Sequence, residues 1–115
     1  MEAKKTKTGP DNLKGKVLRA EDLIQYQDGS VVSKEVIRKP GGTVTAFAFD
    51  GGQQLSEHTA PFDALVVGVD GAADISIAGK VYPVEKGEMI IMPAGIPHAL
   101  KAVSKFKMLL VMIKK

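Results

Sequence analysis

From residue 31 onward the hydrophobic positions fall into short runs, each closed by residues that favour turns. Residues 43–49 set the pattern: Thr43, Thr45, Phe47 and Phe49 take alternate positions, and Val44, Ala46 and Ala48 the others. A period of two is that of a pleated strand, whose successive side chains point to opposite faces. The same reading gives eight or nine short strands, at 31–39, 43–49, 62–69, 73–77, 81–84, 89–92, 98–103 and 106–113. Pro40-Gly41-Gly42, Asp50-Gly51-Gly52, Asp70-Gly71, Ala78-Gly79-Lys80 and Lys86-Gly87 punctuate them, and Asp70-Gly71 is a strong hairpin signal. Residues 20–26 are expected to make one or two helical turns with Leu23 and Ile24 turned inward. No segment keeps a longer helical period, so the pattern predicts an all-β sandwich or barrel. Residues 106–113 are apolar on both faces apart from Lys107. One face is therefore expected to meet the barrel and the other a partner chain or an N-terminal strand.

Composition narrows the class. At 115 residues the chain is one domain's worth, with enough length for a single core. We read residues 1–15 as a flexible lysine-rich tail and residues 16–115 as the folded barrel domain. The formal charge of +3 sits at the ends: residues 1–16 carry five lysines against Glu2 and Asp11, and Lys114 and Lys115 close the chain. The body between them is slightly acidic, so no basic face is expected and nucleic acid is not an expected partner. Absence of cysteine excludes disulfides, thiolate catalysis and cysteine metal sites. The first ten residues have no apolar core of the secretory kind, and the longest apolar run, 108–113, is far too short to span a bilayer. A cytoplasmic location with no membrane partner is the expectation.

The chemistry concentrates on two histidines. Around the first, the chain reads Gly52, then His58, Thr59 and Ala60, with Ala64 and Gly71 further on. Around the second it reads Gly87, Pro93, Gly95, His98 and Ala102. These spacings resemble those of the cupin family, whose motifs are G-x5-H-x-H-x3-4-E-x6-G and G-x5-P-x-G-x2-H-x3-N. The second motif fits at every position through His98, and only its final Asn is replaced, by Ala102. In the first, Gly52, His58 and Gly71 fit, and the likeness covers residues 30–113. It implies a double-stranded β-helix, the jelly-roll cupin barrel. Physical reading agrees: Gly87 and Gly95 stand where tight turns need positive φ, and Pro93 stops a strand without needing a ladder donor.

The first motif departs where metal would bind. The family's second histidine is Ala60 here and its glutamate is Ala64, leaving two of four ligands. Asp63, one residue from the glutamate position, should face the other way. By strand parity His58, Ala60, Phe62, Ala64 and Val66 share one face and His98, Leu100 and Ala102 another, both the barrel interior in a cupin. The expected pocket is His58, His98, Ala60, Phe62, Ala64, Val66 and Leu100, mostly apolar with a few polar points. Burial there should lower the histidine pKa values and keep both rings neutral near pH 7.

Three readings stay open. The pocket binds a small molecule without metal. Alternatively it holds one divalent transition metal (Zn, Ni, Cu or Fe) on His58 and His98, with an amide oxygen from Gln53 or Gln54, as in an oxygenase or isomerase. Or it is a vestige in a regulatory, partner-binding barrel. Tyr26 and Tyr82 are candidate acids by likeness to metal-free epimerases of the superfamily, though packing suits them better. Glu57 should face solvent, and Met89, Met92, Met108 and Met112 read as core or interface filler rather than copper ligands. No nucleophile motif, P-loop or GxGxxG occurs. A homodimer is expected, both from residues 106–113 and from the resemblance.

Overall fold

The computed structural model describes residues 13–114. Most of the tail expected at 1–15 lies outside that range. Among the described residues, nine strands follow the 3-10 turn Ala20–Asp22. They are β1 (Val31–Lys39), β2 (Gly42–Phe49), β3 (Gln54–His58), β4 (Ala64–Asp70), β5 (Ala72–Ile77), β6 (Lys80–Glu85), β7 (Met89–Met92), β8 (His98–Ala102) and β9 (Phe106–Ile113). Five form one sheet in the order β1-β2-β9-β4-β7, and four form the other in the order β3-β8-β5-β6. Every pairing is antiparallel. Neighbours in each sheet are mostly distant in sequence, the long crossovers of a jelly roll.

Two expectations shift. Residues 54–58 had no hydrophobic run to mark them, yet they form edge strand β3. Pairing with β8 supplies the order that their own composition does not. The helical turns expected over 20–26 shrink to the 3-10 turn, and Leu23 and Ile24 are only half-buried.

The core lies between the sheets. Phe49, Val66, Ile75, Phe106 and Met108 are its largest fully buried side chains. Each contributes about 1.5–3 kcal/mol by leaving water, so these few residues weld the layers together. The Phe49 ring stands 5.9 Å from that of Phe47 and 6.0 Å from that of Phe106, so the three rings pack as one aromatic group against the core. At the motif turns, Gly87 and Gly95 have φ of +87° and +73°, the left-handed conformation that glycine adopts without strain.

The outer face of the five-stranded sheet is covered in part by the segment before β1. Lys107, the charged residue in the otherwise apolar β9, is buried there, and its ammonium donates to the Glu21 carbonyl at 2.6 Å. It also sits 4.8 Å from the centre of the Tyr26 ring. The Tyr26 hydroxyl donates to Asp70, and burial, then that bond and the Asp70 charge, push the phenol pKa up. Lys107 is therefore the anchor of an N-terminal strap. Among the described residues no helix is long and apolar enough to cross a membrane.

Candidate functional site

The two histidines lie forty residues apart in sequence and directly opposite one another in space, paired across β3 and β8. Three register positions on β3, from Leu55 to His58, span two on β8, from Leu100 to His98, so β3 carries a bulge. The bulge decides the site. By parity Leu55 and His58 would face opposite ways; with one extra residue between them, both turn into the barrel.

The rings meet edge to face, with centroids 4.4 Å apart, and the two Nε2 atoms are 3.2 Å apart. Their other nitrogens fix the tautomers. His58 Nδ1 donates to the Ser56 carbonyl at 2.7 Å and His98 Nδ1 to the Ile96 carbonyl at 3.2 Å. A carbonyl oxygen only accepts, so each Nδ1 carries its proton. In the neutral rings both Nε2 atoms then present lone pairs to each other. Two lone pairs facing one another repel, and a hydrogen shared between the nitrogens relieves that repulsion.

His98 is buried and His58 is exposed, so the pair spans the mouth of the barrel. Burial foremost, and the neighbouring His58, lower the His98 pKa, while the bond to Ile96 opposes them. Behind the pair lies a cavity of about 60 Å³. That is far below the roughly 300–1,000 Å³ of sites for drug-sized ligands.

Of the expected pocket residues, His58, His98, Ala60, Ala64 and Leu100 line this cavity. Two do not. Val66 is fully buried in the core, and Phe62 lines a groove on the outside with Leu65, Ile91 and Lys114. Val66 does share the inward face of β4 with Ala64, one pair of residues further along the strand; Phe62 turns outward because residues 59–63 around Pro61 are not strand and the alternation breaks there. Gln53 and Gln54 also stand apart: Gln54 is exposed opposite Lys101, and Gln53 ties its backbone to Ala102. Asp63 is exposed, as expected, and caps the Ala94 amide at 2.9 Å. Neither Tyr26 nor Tyr82 reaches the cavity.

Sequence reasoning missed Leu55, Leu110 and three methionines: Met92, Met108 and Met112 all line the cavity. The signal was present in the alternation Phe106, Met108, Leu110, Met112, but only the pairing of β9 with β2 and β4 turns that row inward. Among the described residues no group of three or more His, Cys, Asp or Glu is placed to hold a metal ion.

Comparison with known proteins gives the same picture. No curated protein matches this chain. A conserved protein of unknown function from Streptococcus pyogenes is 39% identical, over 88% of this chain and 89% of that one, with a TM-score of 0.83. A cupin 2 conserved barrel domain protein from Leptotrichia buccalis is 41% identical, over 82% of this chain and 46% of that one, with a TM-score of 0.79. A cupin superfamily protein from Desulfitobacterium hafniense shares the fold with a TM-score of 0.84 at 22% identity, over 97% of this chain and all of that one. The family model for the cupin domain matches residues 46–114, which hold both histidines and the whole second motif, and the chain belongs to the cupin family.

Proposed function

We propose that the barrel cavity binds a small ion or a polar molecule of a few heavy atoms through the Nε2 atoms of His58 and His98. The observation that carries this reading is the opposed pair of ring nitrogens, each unprotonated in the neutral ring, at the mouth of an otherwise apolar cavity. Backbone carbonyls hold both rings in the tautomer that leaves Nε2 free, the arrangement that orients imidazole ligands in metal sites. The spacing also suits one ion. Two nitrogens at about 2.0–2.1 Å from a tetrahedral centre stand roughly 3.3–3.4 Å apart, close to the 3.2 Å seen. A bound ion would supply Lewis acidity at open positions. Catalytic zinc ordinarily has three protein ligands, and this cavity offers two imidazoles and no carboxylate, which favours a binding role over a metalloenzyme.

The test is thermal unfolding of wild type, His58→Ala and His98→Ala against Zn²⁺, Ni²⁺, Cu²⁺, anaerobic Fe²⁺ and a panel of small polar molecules, with and without chelator. At least one probe should raise Tm in wild type and in neither variant. If no probe does, or the variants respond equally, the cavity is vestigial.

The second part of the reading is a homodimer through the outer face of the five-stranded sheet. Ile91, Leu65, Val111, Val44 and Ile37 are successive cross-strand partners on β7, β4, β9, β2 and β1. They make an aliphatic row across the full width of the sheet. Ile91 is 61% exposed, Met89 66%, Ile113 56% and Ile37 49%. A sheet face this broad and this apolar is self-complementary across a two-fold axis, which is what an isologous dimer requires.

A further inference from the structure

The methionines that line the cavity assign it a chemical class of ligand. The chain has five methionines, and three of them, Met92, Met108 and Met112, share a cavity with its only two histidines. They come from β7 and β9, on the sheet opposite the strands that carry the imidazoles. Building on the binding role proposed above, we infer that the cavity is a site for a soft monovalent metal ion, Cu(I), held by the two Nε2 atoms and by methionine thioethers.

Three features carry this. First, the donor set is soft. Thioether and imidazole suit Cu(I), whereas carboxylate and carbonyl donors suit the hard divalent ions, and no acidic residue lines the cavity. Second, charge selects valence. The lining is neutral throughout, so an ion brings its full charge into an apolar space. The Born penalty grows with the square of the charge, so a monovalent ion costs about a quarter of what a divalent ion does. Third, size agrees. A cavity of about 60 Å³ admits an ion readily. Met side chains, unbranched with three rotatable bonds, can swing their sulfur atoms towards it without moving the backbone.

The test is anaerobic titration with Cu(I), buffered by a chromogenic Cu(I) chelator, beside a titration with Zn²⁺. Wild type is compared with Met108→Leu/Met112→Leu, with His98→Ala and with Met89→Leu, whose side chain is on the outside. Leu-for-Met exchanges usually cost under about 1.5 kcal/mol, so the double variant is expected to fold, and circular dichroism checks this. Ag(I), a diamagnetic stand-in, is followed through the methionine methyl resonances. Wild type should bind one Cu(I) more tightly than Zn²⁺. The double variant should lose at least about tenfold in Cu(I) affinity while its Zn²⁺ affinity holds. Ag(I) should shift the resonances of cavity methionines and leave Met89 in place.

A double variant that binds Cu(I) like wild type overturns the thioether assignment and leaves the histidine site standing. The same holds if wild type takes Zn²⁺ in preference to Cu(I), or takes another ligand on its histidines and no Cu(I). A wild type that binds Cu(I), with His98→Ala binding it equally, overturns both readings.

Discussion

Replacing Ile91 by Asp is the sharpest probe of the proposed dimer. Ile91 lies on edge strand β7, points away from the core and is 61% exposed, so the change leaves the barrel interior untouched. Complete burial of such a side chain is worth about 1.5–3 kcal/mol. Covering the exposed 61% therefore contributes about 0.9–1.8 kcal/mol in each protomer. A two-fold axis counts every contact twice, giving about 1.8–3.7 kcal/mol per dimer. That predicts a dissociation constant weaker by about 20- to 500-fold. Asp adds a short charge that cannot reach past the contact to water, so this range is a floor. The assay is sedimentation equilibrium over a dilution series. Val81→Asp is the control, because Val81 is 52% exposed but belongs to the other sheet. A wild type that stays monomeric at every concentration refutes the reasoning, and so does equal weakening by both substitutions.

Two further predictions concern the motif residues. Gly71 has φ +73°, and a Cβ there would overlap the Lys105 carbonyl, whereas Gly79 at φ +82° faces open space. Gly79→Ala should cost only the left-handed backbone, about 1–2 kcal/mol, and Gly71→Ala clearly more; equal losses in urea unfolding would contradict the packing argument. For His98, whose pKa is held below its ordinary 6.5 chiefly by burial, the unfolded chain takes up a proton that the native state refuses. Stability is therefore full above about pH 6.5 and falls as pH drops below it, and His98→Gln should flatten that slope between about pH 7.5 and 5.5. Parallel slopes for the two proteins in thermal melts would show that this ring is not the cause.

The second motif was legible because what it encodes is local. A turn at Gly87, a strand stop at Pro93 and a turn at Gly95 each depend on a few neighbouring dihedral angles, and together they deliver His98 to the start of β8. The strands were legible for the same reason wherever burial wrote a hydrophobic run. Strand β3 was not, because Gln54, Ser56, Glu57 and His58 are all polar and exposed on an edge, and Leu55 is the one apolar side chain it packs against the core. Its order comes from β8, a partner some forty residues away. The methionines failed to read as a site for a related reason: Met108 and Met112 look like filler in any apolar strand, and only the register of β9 against β4 sets them behind the histidines.

The bulge in β3 shows where reading by parity must stop. Counting alternate residues forward from His58 put Phe62 beside it, and counting backward would have put Leu55 on the opposite face. Each error has one cause: alternation holds only while a strand is continuous and regular. Pro61 ends that continuity on one side, and the extra residue between Leu55 and His58 ends the regularity on the other. The irregularity is also what makes the site. A regular β3 with Leu55 turned inward would present His58 to solvent, leaving His98 buried opposite no partner. Bulges persist where they aim a side chain, and this one aims an imidazole nitrogen at its twin across 3.2 Å. A barrel that needed these histidines only as filler would gain nothing from holding two lone pairs face to face. On the binding role proposed above, the bulge is a device for ligand capture, and the two alanines at positions 60 and 64 leave that capture to the imidazoles and to whatever donors the opposite sheet provides.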